Sequence, residues 1–309
     1  MKVWLNNRLS DAKDAKISVY DHGFLYGDGI YETVHAYGYR VFHWPDHYRR
    51  LRESAGRIAL KCPWSSRTLE ERIVKVLKAN REPDASVRIT IARGPGPLGL
   101  DPTVCPHPTL VMLLHPKRDF ERYWKDGVVI GIPKIRRNHP QTLDPQIKSN
   151  NSLNTILAKI EGEEMGVFES VLLNLNGELT EGTTSNIFFV KRGQIFTPAL
   201  SCGLLAGITR EAVLKKLAPR SRIRAHEGRY TPKDLKQADE IFLTSTTLEI
   251  APVVTVKIAT PTLTPTLSLI RERVAKPGEG GPRTLWHGKP GPMTRHIHAL
   301  FRSTLPHQK

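Results

Sequence analysis

The segment Ile147–Val190 constrains the fold more than any other part of the chain. It reads IKSNNSLNTILAKIEGEEMGVFESVLLNLNGELTEGTTSNIFFV. Its first half predicts a helix that begins near Lys148, because apolar residues recur at helical spacing: Leu153, Ile156, Leu157 and Ile160. Its second half predicts a β-hairpin, because Asn176-Gly177 separates two apolar runs. The pattern is typical of a mixed α/β fold.

The first part of the chain also mixes helices and strands. The apolar runs at 86–92 and 109–115 predict strands, and the spacing of apolar residues in 47–60 predicts a helix. The segment 115–127 is polar and separates these elements from the next predicted strand, 128–133. A length of 309 residues suits one large or two ordinary domains.

We therefore predict a small N-terminal α/β domain over 1–118, a connection over 119–126, and a larger C-terminal domain over 127–309. In the second domain the sequence predicts two strands around the polar turn 244–247. It also predicts a helix over 207–218, a short helix starting at Pro232, an irregular Gly/Pro-rich loop over 276–292 and a last helix over 294–301.

Composition excludes several classes of protein. No apolar run reaches the roughly 18 residues of a membrane span. The N-terminus lacks the apolar core of a signal peptide, which favours a cytoplasmic location. The cysteines Cys62, Cys105 and Cys202 form no CxxC pair, and the histidines show no metal-ligand spacing. We therefore expect no disulfide, no metal and no membrane.

The formal net charge of +16 raises nucleic acid as a partner. The basic residues are scattered, however, and no nucleic-acid-binding motif accompanies them. A basic surface that favours anionic small-molecule substrates is the simpler interpretation.

Lys148 and Glu181 are the candidate chemical groups. A lone lysine is most often a solvated surface residue, but small polar residues follow Lys148, as expected beside a pocket. Glu181 stands in a strand, where glutamate is disfavoured. An amine for a Schiff base and an acid for the pyridine nitrogen are the two protein groups that pyridoxal 5'-phosphate needs most.

Other segments could hold a phosphate group. Arg50 offers a guanidinium fork. The predicted helix start at Gly207-Ile208-Thr209 offers backbone N–H groups and a hydroxyl. The turn 244–247 offers more hydroxyl donors. Each of these features is common when it occurs alone.

Together the segments resemble the class IV (fold type IV) aminotransferases, which use pyridoxal phosphate. The elements that carry the resemblance follow the family's order, from residue 26 to residue 253: YGDGIYETV, HYRRL, KSNN, LTEGTTSNIF, LLAGITRE and FLTSTTLEIAPV. The resemblance implies a smaller N-terminal α/β domain, a larger C-terminal domain, and the cofactor between them. It also implies a homodimer whose site lies near the interface.

The resemblance assigns roles to individual residues. Lys148 becomes the catalytic Schiff-base lysine, and Glu181 the partner of the pyridine nitrogen. Leu205 would pack under the ring, and Thr184 would belong to the turn that approaches the cofactor closely. The phosphate would be held by Arg50, Ile208, Thr209 and Thr246. The substrate would be contacted by Tyr31, Thr247 and Leu98.

The substrate indications conflict. Leu98 stands where D-amino acid aminotransferases carry an arginine, and Leu153 stands where branched-chain enzymes often have a tyrosine. Our first choice is a transaminase for a branched-chain L-amino acid and a 2-keto acid, working by a ping-pong mechanism. The alternatives within the family are a D-amino acid aminotransferase and an aminodeoxychorismate lyase. Outside it they are a nucleic-acid-binding protein and a regulatory domain, each on an inactive enzyme scaffold.

Overall fold

Two β-sheets organise the chain in a computed structural model, which describes residues 1–115, 119–260 and 281–306. The strands of the first sheet are β1 (Lys2–Leu5), β2 (Arg8–Asp11), β3 (Gly29–Tyr37), β4 (Arg40–Val41), β5 (Ala85–Ala92) and β6 (Thr109–His115). Those of the second are β7 (Val128–Ile132), β8 (Glu169–Leu173), β9 (Leu179–Gly182), β10 (Asn186–Lys191), β11 (Gln194–Pro198), β12 (Ala225–Gly228), β13 (Glu240–Ser245), β14 (Glu249–Ile258) and β15 (Arg283–His287).

Helices flank both sheets. They are α1 (His22–Tyr26), α2 (Trp44–Arg57), α3 (Ser66–Asn80), α4 (Glu121–Asp126), α5 (Leu153–Glu164), α6 (Ile208–Ala212), α7 (Ala218–Arg220), α8 (Pro232–Lys236) and α9 (Pro292–Ser303). A π-helical stretch, Val213–Leu217, joins α6 to α7, and 3₁₀ turns lie at Pro102–Val104 and Leu200–Cys202. Within the described residues, no helix is long and apolar enough to cross a membrane.

The first sheet has the strand order β2-β1-β6-β5-β3-β4, and all of its pairs are antiparallel. Helices α2 and α3 cover one face, because their apolar residues fall on one side of each helix. Leu51 of α2 and Leu69, Ile73 and Leu77 of α3 are fully buried there.

The second sheet has the order β12-β11-β10-β13-β14-β7-β8-β9, with β15 added beside β14. Strands β7 and β8 are parallel neighbours, as are β7 and β14, while β10, β13 and β14 run antiparallel. Apolar side chains cover both faces of the central strands, which explains why these strands read as nearly continuous apolar runs.

The mixed α/β architecture predicted from the sequence is confirmed, and the hairpin β8–β9 turns at Asn176-Gly177. The predicted start of the central helix is wrong, because α5 begins at Leu153 and not near Lys148. The polar residues in between bond to the first sheet instead: Ser149 forms a bridge with Ile30, and the Asn150 N–H donates to the Gly29 carbonyl at 2.8 Å.

Three further elements differ from the sequence-based expectation. The second run of the predicted hairpin, 178–190, is not one strand, since a turn at 183–185 separates β9 from β10. Helix α3 was not expected. The predicted loop over 276–292 contains β15, which pairs with β14, while residues 276–280 lie outside the described part of the chain.

The predicted connection 119–126 holds α4, which packs beside β14. The Trp124 indole N–H donates to the Leu248 carbonyl at 2.8 Å. The division into 1–118, 119–126 and 127–309 stays a prediction, and residues 116–118, 261–280 and 307–309 are outside the description.

Candidate active site

A cavity of about 640 Å³ is lined by residues of both sheets. All of the residues that the sequence pointed to line it, except Leu98. They are Tyr31, Arg50, Lys148, Glu181, Thr184, Leu205, Ile208, Thr209, Thr246 and Thr247. Their individual roles stay predictions, but their presence in one cavity makes a common function possible.

Leu98 lies outside this cavity. Its side chain is 71% exposed, and the next residue, Gly99, donates its N–H to the Tyr26 hydroxyl at 3.0 Å. The predicted contact between Leu98 and a substrate is therefore not supported by this cavity and stays a prediction.

Lys148 is fixed by its backbone to the first sheet. Its carbonyl accepts the Tyr31 N–H at 2.9 Å, and its own N–H donates to the Ser54 hydroxyl at 3.2 Å. The side chain then extends over Tyr31, with Nζ 4.4 Å from the ring centroid. The amine therefore lies beside an aromatic wall of the cavity.

Arg88 makes the surroundings of Tyr31 more positive. Its guanidinium carbon lies 3.6 Å from the Tyr31 ring centroid. The charge of Lys148 lowers the pKa of Tyr31, burial opposes this effect, and Arg88 adds to it. Sequence reasoning missed Arg88. The signal was a charged residue within the apolar strand 86–92.

Glu181 is buried at the end of β9 and is fixed by four donors. One oxygen, Oε1, accepts from Arg137 Nη2 at 2.8 Å and Nε at 3.1 Å. The other, Oε2, accepts from the Leu205 N–H at 3.0 Å and from Asn186 Nδ2 at 3.4 Å. The carboxylate is thus held in one orientation at the cavity wall. Sequence reasoning missed Arg137, which no local pattern marks.

Arg50 reaches the cavity from α2. Its Nε and Nη2 donate to Glu32 at 2.7 and 2.9 Å, and Nη1 donates to the Ala206 carbonyl at 2.8 Å. These bonds use three of the five N–H groups of a guanidinium. The other two are available to an anion in the cavity.

Glu32 anchors Arg50 from the protein interior. Burial would raise the pKa of Glu32, but the Arg50 guanidinium and His47 outweigh it and hold that pKa well below its usual range. His47 Nδ1 lies 2.8 Å from Glu32 Oε2, and burial lowers the pKa of His47. Sequence reasoning placed Glu32 and His47 in motifs but gave them no role.

Backbone donors lie next to Arg50, which bonds to the carbonyl of Ala206. Gly207 precedes α6, and the first N–H groups of a helical segment have no partner within it. A Cβ at Gly207 would lie 1.9 Å from Asn186 Oδ1, so only glycine permits this close approach. The N–H groups of Ile208 and Thr209 therefore border the cavity together with the turn between β13 and β14.

Thr184 is engaged with another carboxylate, Glu169. Its N–H and hydroxyl donate to Glu169 Oε2 at 3.1 and 2.8 Å. The N–H of Thr183 donates to Oε1 at 3.0 Å, and the hydroxyl of Ser185 donates to Oε2 at 3.1 Å. Glu169 thus shapes the turn that follows Glu181, and Thr184 borders the cavity as part of that turn.

This set of groups fits pyridoxal phosphate. The cavity offers an amine, a fixed carboxylate, a partly free guanidinium and the apolar Leu205. It also offers backbone N–H groups at a glycine that admits no side chain. Among the described residues, no cluster of three or more His, Cys, Asp or Glu side chains is placed to hold a metal ion.

Comparisons with known proteins give a consistent picture. The model of the class IV amino-transferase family matches residues 29–256. The chain is 41% identical to a putative branched-chain-amino-acid aminotransferase of Methanocaldococcus jannaschii over 253 residues, which are 82% of this chain and 87% of that protein. It is 34% identical to a D-alanine aminotransferase of Listeria monocytogenes, over 82% of this chain and 86% of that one.

Solved structures agree in fold. The branched-chain amino acid aminotransferase of Escherichia coli superposes with a TM-score of 0.85 at 27% identity, covering 98% of this chain and 94% of that one. That of Thermoproteus uzoniensis, solved with norvaline, gives a TM-score of 0.82 at 29% identity, over 98% and 93% of the two chains.

Proposed function

The chain belongs to the class IV aminotransferase family and is a transaminase that works with pyridoxal phosphate, and on this premise we propose that its amino donor is a branched-chain L-amino acid. The observation that supports transaminase chemistry is the cavity shared by Lys148, Glu181 and Arg50. The relative with 41% identity bears a branched-chain name, which favours this donor.

We propose the following roles in the reaction. The bound cofactor supplies an electron sink for the carbanion that forms when a substrate loses its Cα proton. Lys148 takes and returns that proton. Glu181, oriented by Arg137 and the Leu205 N–H, holds the proton on the pyridine nitrogen.

The remaining cofactor contacts follow from the same cavity. Arg50 binds the phosphate with the N–H groups that Glu32 and Ala206 leave free. The backbone of Ile208 and the backbone and hydroxyl of Thr209 bind it beside Arg50, together with Thr246. Leu205 supports the ring, and Tyr31 and Thr247 contact the substrate.

Arg88 favours a dicarboxylate as amino acceptor, and we propose 2-oxoglutarate. Its guanidinium carbon lies 3.6 Å from the centroid of the Tyr31 ring, which Lys148 also approaches. Among the described residues, Arg88 bonds only to neutral groups, the Thr90 hydroxyl at 3.3 Å and Asn150 Oδ1 at 3.2 Å. Within the described residues Arg88 has no carboxylate partner, so a second substrate carboxylate can complete its contacts.

A D-amino acid transaminase is the second candidate, because relatives with 31–34% identity bear the name D-alanine aminotransferase. Assays with a panel of L- and D-amino acids as donors distinguish the two candidates. We expect purified enzyme to transfer the amino group of L-leucine, L-isoleucine and L-valine to 2-oxoglutarate. Faster turnover of D-alanine contradicts the branched-chain assignment. Pyruvate release from aminodeoxychorismate without any transamination supports the lyase.

We also propose that the enzyme is a homodimer. Helix α5 exposes an apolar stripe, with Leu153 at 67%, Ile156 at 51% and Ile160 at 45% exposure. Phe24 of α1 is 65% exposed, and Asn151, just before α5, donates to the Gly27 carbonyl beside α1. A second copy of the chain would cover this apolar surface. The cytoplasmic location stays a prediction.

A further inference from the structure

Glu249, the first residue of β14, is a buried carboxylate that none of the proposed roles uses. It lines the cavity, its exposure is 4%, and it follows the turn that carries Thr246 and Thr247. Its φ is +58°, in the left-handed region that non-glycine residues rarely adopt. Such a backbone persists only where surrounding contacts enforce it, and these residues cluster at functional sites.

The contacts that enforce it come from two other elements. The Tyr37 hydroxyl of β3 donates to Glu249 Oε1 at 3.1 Å, and His298 Nε2 of α9 lies 2.8 Å from Oε2. Arg302, also on α9, is farther away, with Nε at 3.9 Å. Glu249 therefore joins the first sheet, the second sheet and the last helix at one point.

A second contact fixes the same turn from outside. Trp124 of α4 donates to the Leu248 carbonyl at 2.8 Å, and its ring lies 5.1 Å from that of His298. The Leu248 N–H donates to the Ser245 hydroxyl at 3.1 Å. The turn is thus bound on both sides of Thr246 and Thr247.

Helix α9 lies beyond residues 29–256, the part that the family model matches. The family's common sequence therefore assigns no role to His298. The position of His298 suggests a role, because His298 holds the carboxylate of Glu249, the residue that follows the turn.

We propose that Glu249 is a positioning residue: Tyr37 and His298 hold its carboxylate, and this contact sets the Thr246–Thr247 turn for the substrate carboxylate. The inference rests on the proposed function, in which Thr247 contacts the substrate. Loss of the Glu249 carboxylate releases the turn and weakens carboxylate binding. Cofactor binding changes less, because Thr246 is one phosphate contact among several and Arg50 and the backbone at 208–209 supply the others.

The test measures carboxylate docking without chemistry. The probe is 4-methylvalerate, which has the carbon skeleton of leucine without its amino group, added to enzyme loaded with pyridoxal phosphate. In Glu249→Ala we expect its affinity to fall by about tenfold, the effect of losing one hydrogen bond to a charged group. The dissociation constant of pyridoxal phosphate from the Glu249→Ala protein, measured by absorbance, should change by less than about threefold relative to wild type.

Two milder variants keep the proposal testable if Glu249→Ala folds poorly. Tyr37→Phe removes one hydroxyl, and His298→Ala removes the imidazole. Both variants should weaken the binding of 4-methylvalerate. His298→Gln should restore binding, since its amide N–H can replace the imidazole donor. Glu178→Ala is the matched control, because Glu178 accepts from Asn174 and Arg229 but does not line the cavity.

The outcomes separate the two proposals. Wild-type protein that binds pyridoxal phosphate but not 4-methylvalerate contradicts the branched-chain assignment. Wild type that binds both, with the Glu249, Tyr37 and His298 variants indistinguishable from it, overturns the role of Glu249. Equal losses in these variants and in Glu178→Ala also overturn it, because they indicate general destabilisation.

Discussion

At the scale of single residues, the amine proposed to react, that of Lys148, is placed by backbone bonds and by one aromatic ring. Lys148 bonds to Tyr31 and Ser54 through its main chain, while its Nζ lies over the Tyr31 ring. The local sequence reveals Lys148 and Glu181 because each is an unusual residue in its setting. It does not reveal Arg137, which reaches Glu181 across 44 positions of sequence through folding alone.

Replacing Lys148 with alanine removes the group that we propose moves the substrate's Cα proton. We expect kcat for transamination to fall by at least about 10³-fold, within the range for loss of a general acid–base group. The variant should still bind pyridoxal phosphate through Arg50 and the 208–209 backbone. Borohydride should join the cofactor covalently to the wild-type chain but not to the variant, which mass spectrometry measures.

Replacing Arg88 with glutamine tests the choice of acceptor. We expect kcat/KM for 2-oxoglutarate to fall by at least about tenfold, because one charged hydrogen-bond partner is lost. Pyruvate, which has no second carboxylate, should be affected by less than about threefold. Equal losses for both acceptors would contradict the proposed contact between Arg88 and the distal carboxylate.

The buried pair of Glu32 and Arg50 predicts a pH dependence of stability. The pKa of Glu32 lies below its ordinary value of 4.5, so its ionisation stabilises the fold above that pH. This stability is lost as the pH falls through the lower, folded pKa. We expect Glu32→Gln to reduce the free energy of unfolding by about 3 kcal/mol at pH 7.

The difference between wild type and Glu32→Gln should shrink progressively below about pH 4.5. Urea denaturation of both proteins at several pH values measures it. A difference that grows on acidification would show that Glu32 is not ionised in the native protein.

At the scale of elements, sequence patterns identified the central strands and five of the helices of the described residues but misjudged some of their ends. Asn176-Gly177 marked the β8–β9 turn because this dipeptide favours the backbone of a tight hairpin. The start of α5 was misplaced because the polar residues between Lys148 and Leu153 bond to the first sheet, a long-range contact. Strand β15 was hidden because glycine and proline surround it.

The turn between β9 and β10 depends on Glu169. Replacing Glu169 with alanine leaves the Thr184 N–H and the Ser185 hydroxyl without their acceptor. It also removes one of the two acceptors of the Thr183 N–H, which keeps its bond to the Ser170 carbonyl at 3.0 Å. We expect the free energy of unfolding to fall by about 3 kcal/mol, measured by denaturation of the apoprotein. Pyridoxal phosphate affinity should fall as well, because Glu181 immediately precedes this turn.

Ser170→Ala is the matched control. Its hydroxyl is buried next to Glu169 but has no hydrogen-bond partner among the described residues. Its removal should leave stability unchanged or slightly higher. A loss comparable to that of Glu169→Ala would mean that packing, and not hydrogen bonding, maintains this turn.

At the scale of the whole molecule, the apolar spacing of α5 predicts a helix correctly but does not say what covers it. Leu153, Ile156 and Ile160 would suit a buried face, yet all three are exposed. The sequence of one chain does not distinguish the residues of the proposed interface from core residues, since both are apolar.

Charge on this stripe should therefore separate the subunits. We expect Ile156→Glu combined with Ile160→Glu to shift the protein from dimer to monomer in sedimentation velocity, with the circular dichroism of the fold retained. Leu175→Glu is the control, since Leu175 is 67% exposed in the β8–β9 turn and is not part of α5. A wild-type protein that sediments as a monomer contradicts the dimer.

The backbone bonds between the Lys148 segment and β3 have a consequence for how the enzyme could be divided or reshaped. The backbone of Lys148 is hydrogen-bonded to the first sheet, whereas Glu181 lies in a strand of the second sheet. If the proposed roles are correct, neither half could carry the chemistry when expressed by itself. A design that moves this activity to another scaffold would have to reproduce the distance between the two sheets as well as the residues themselves.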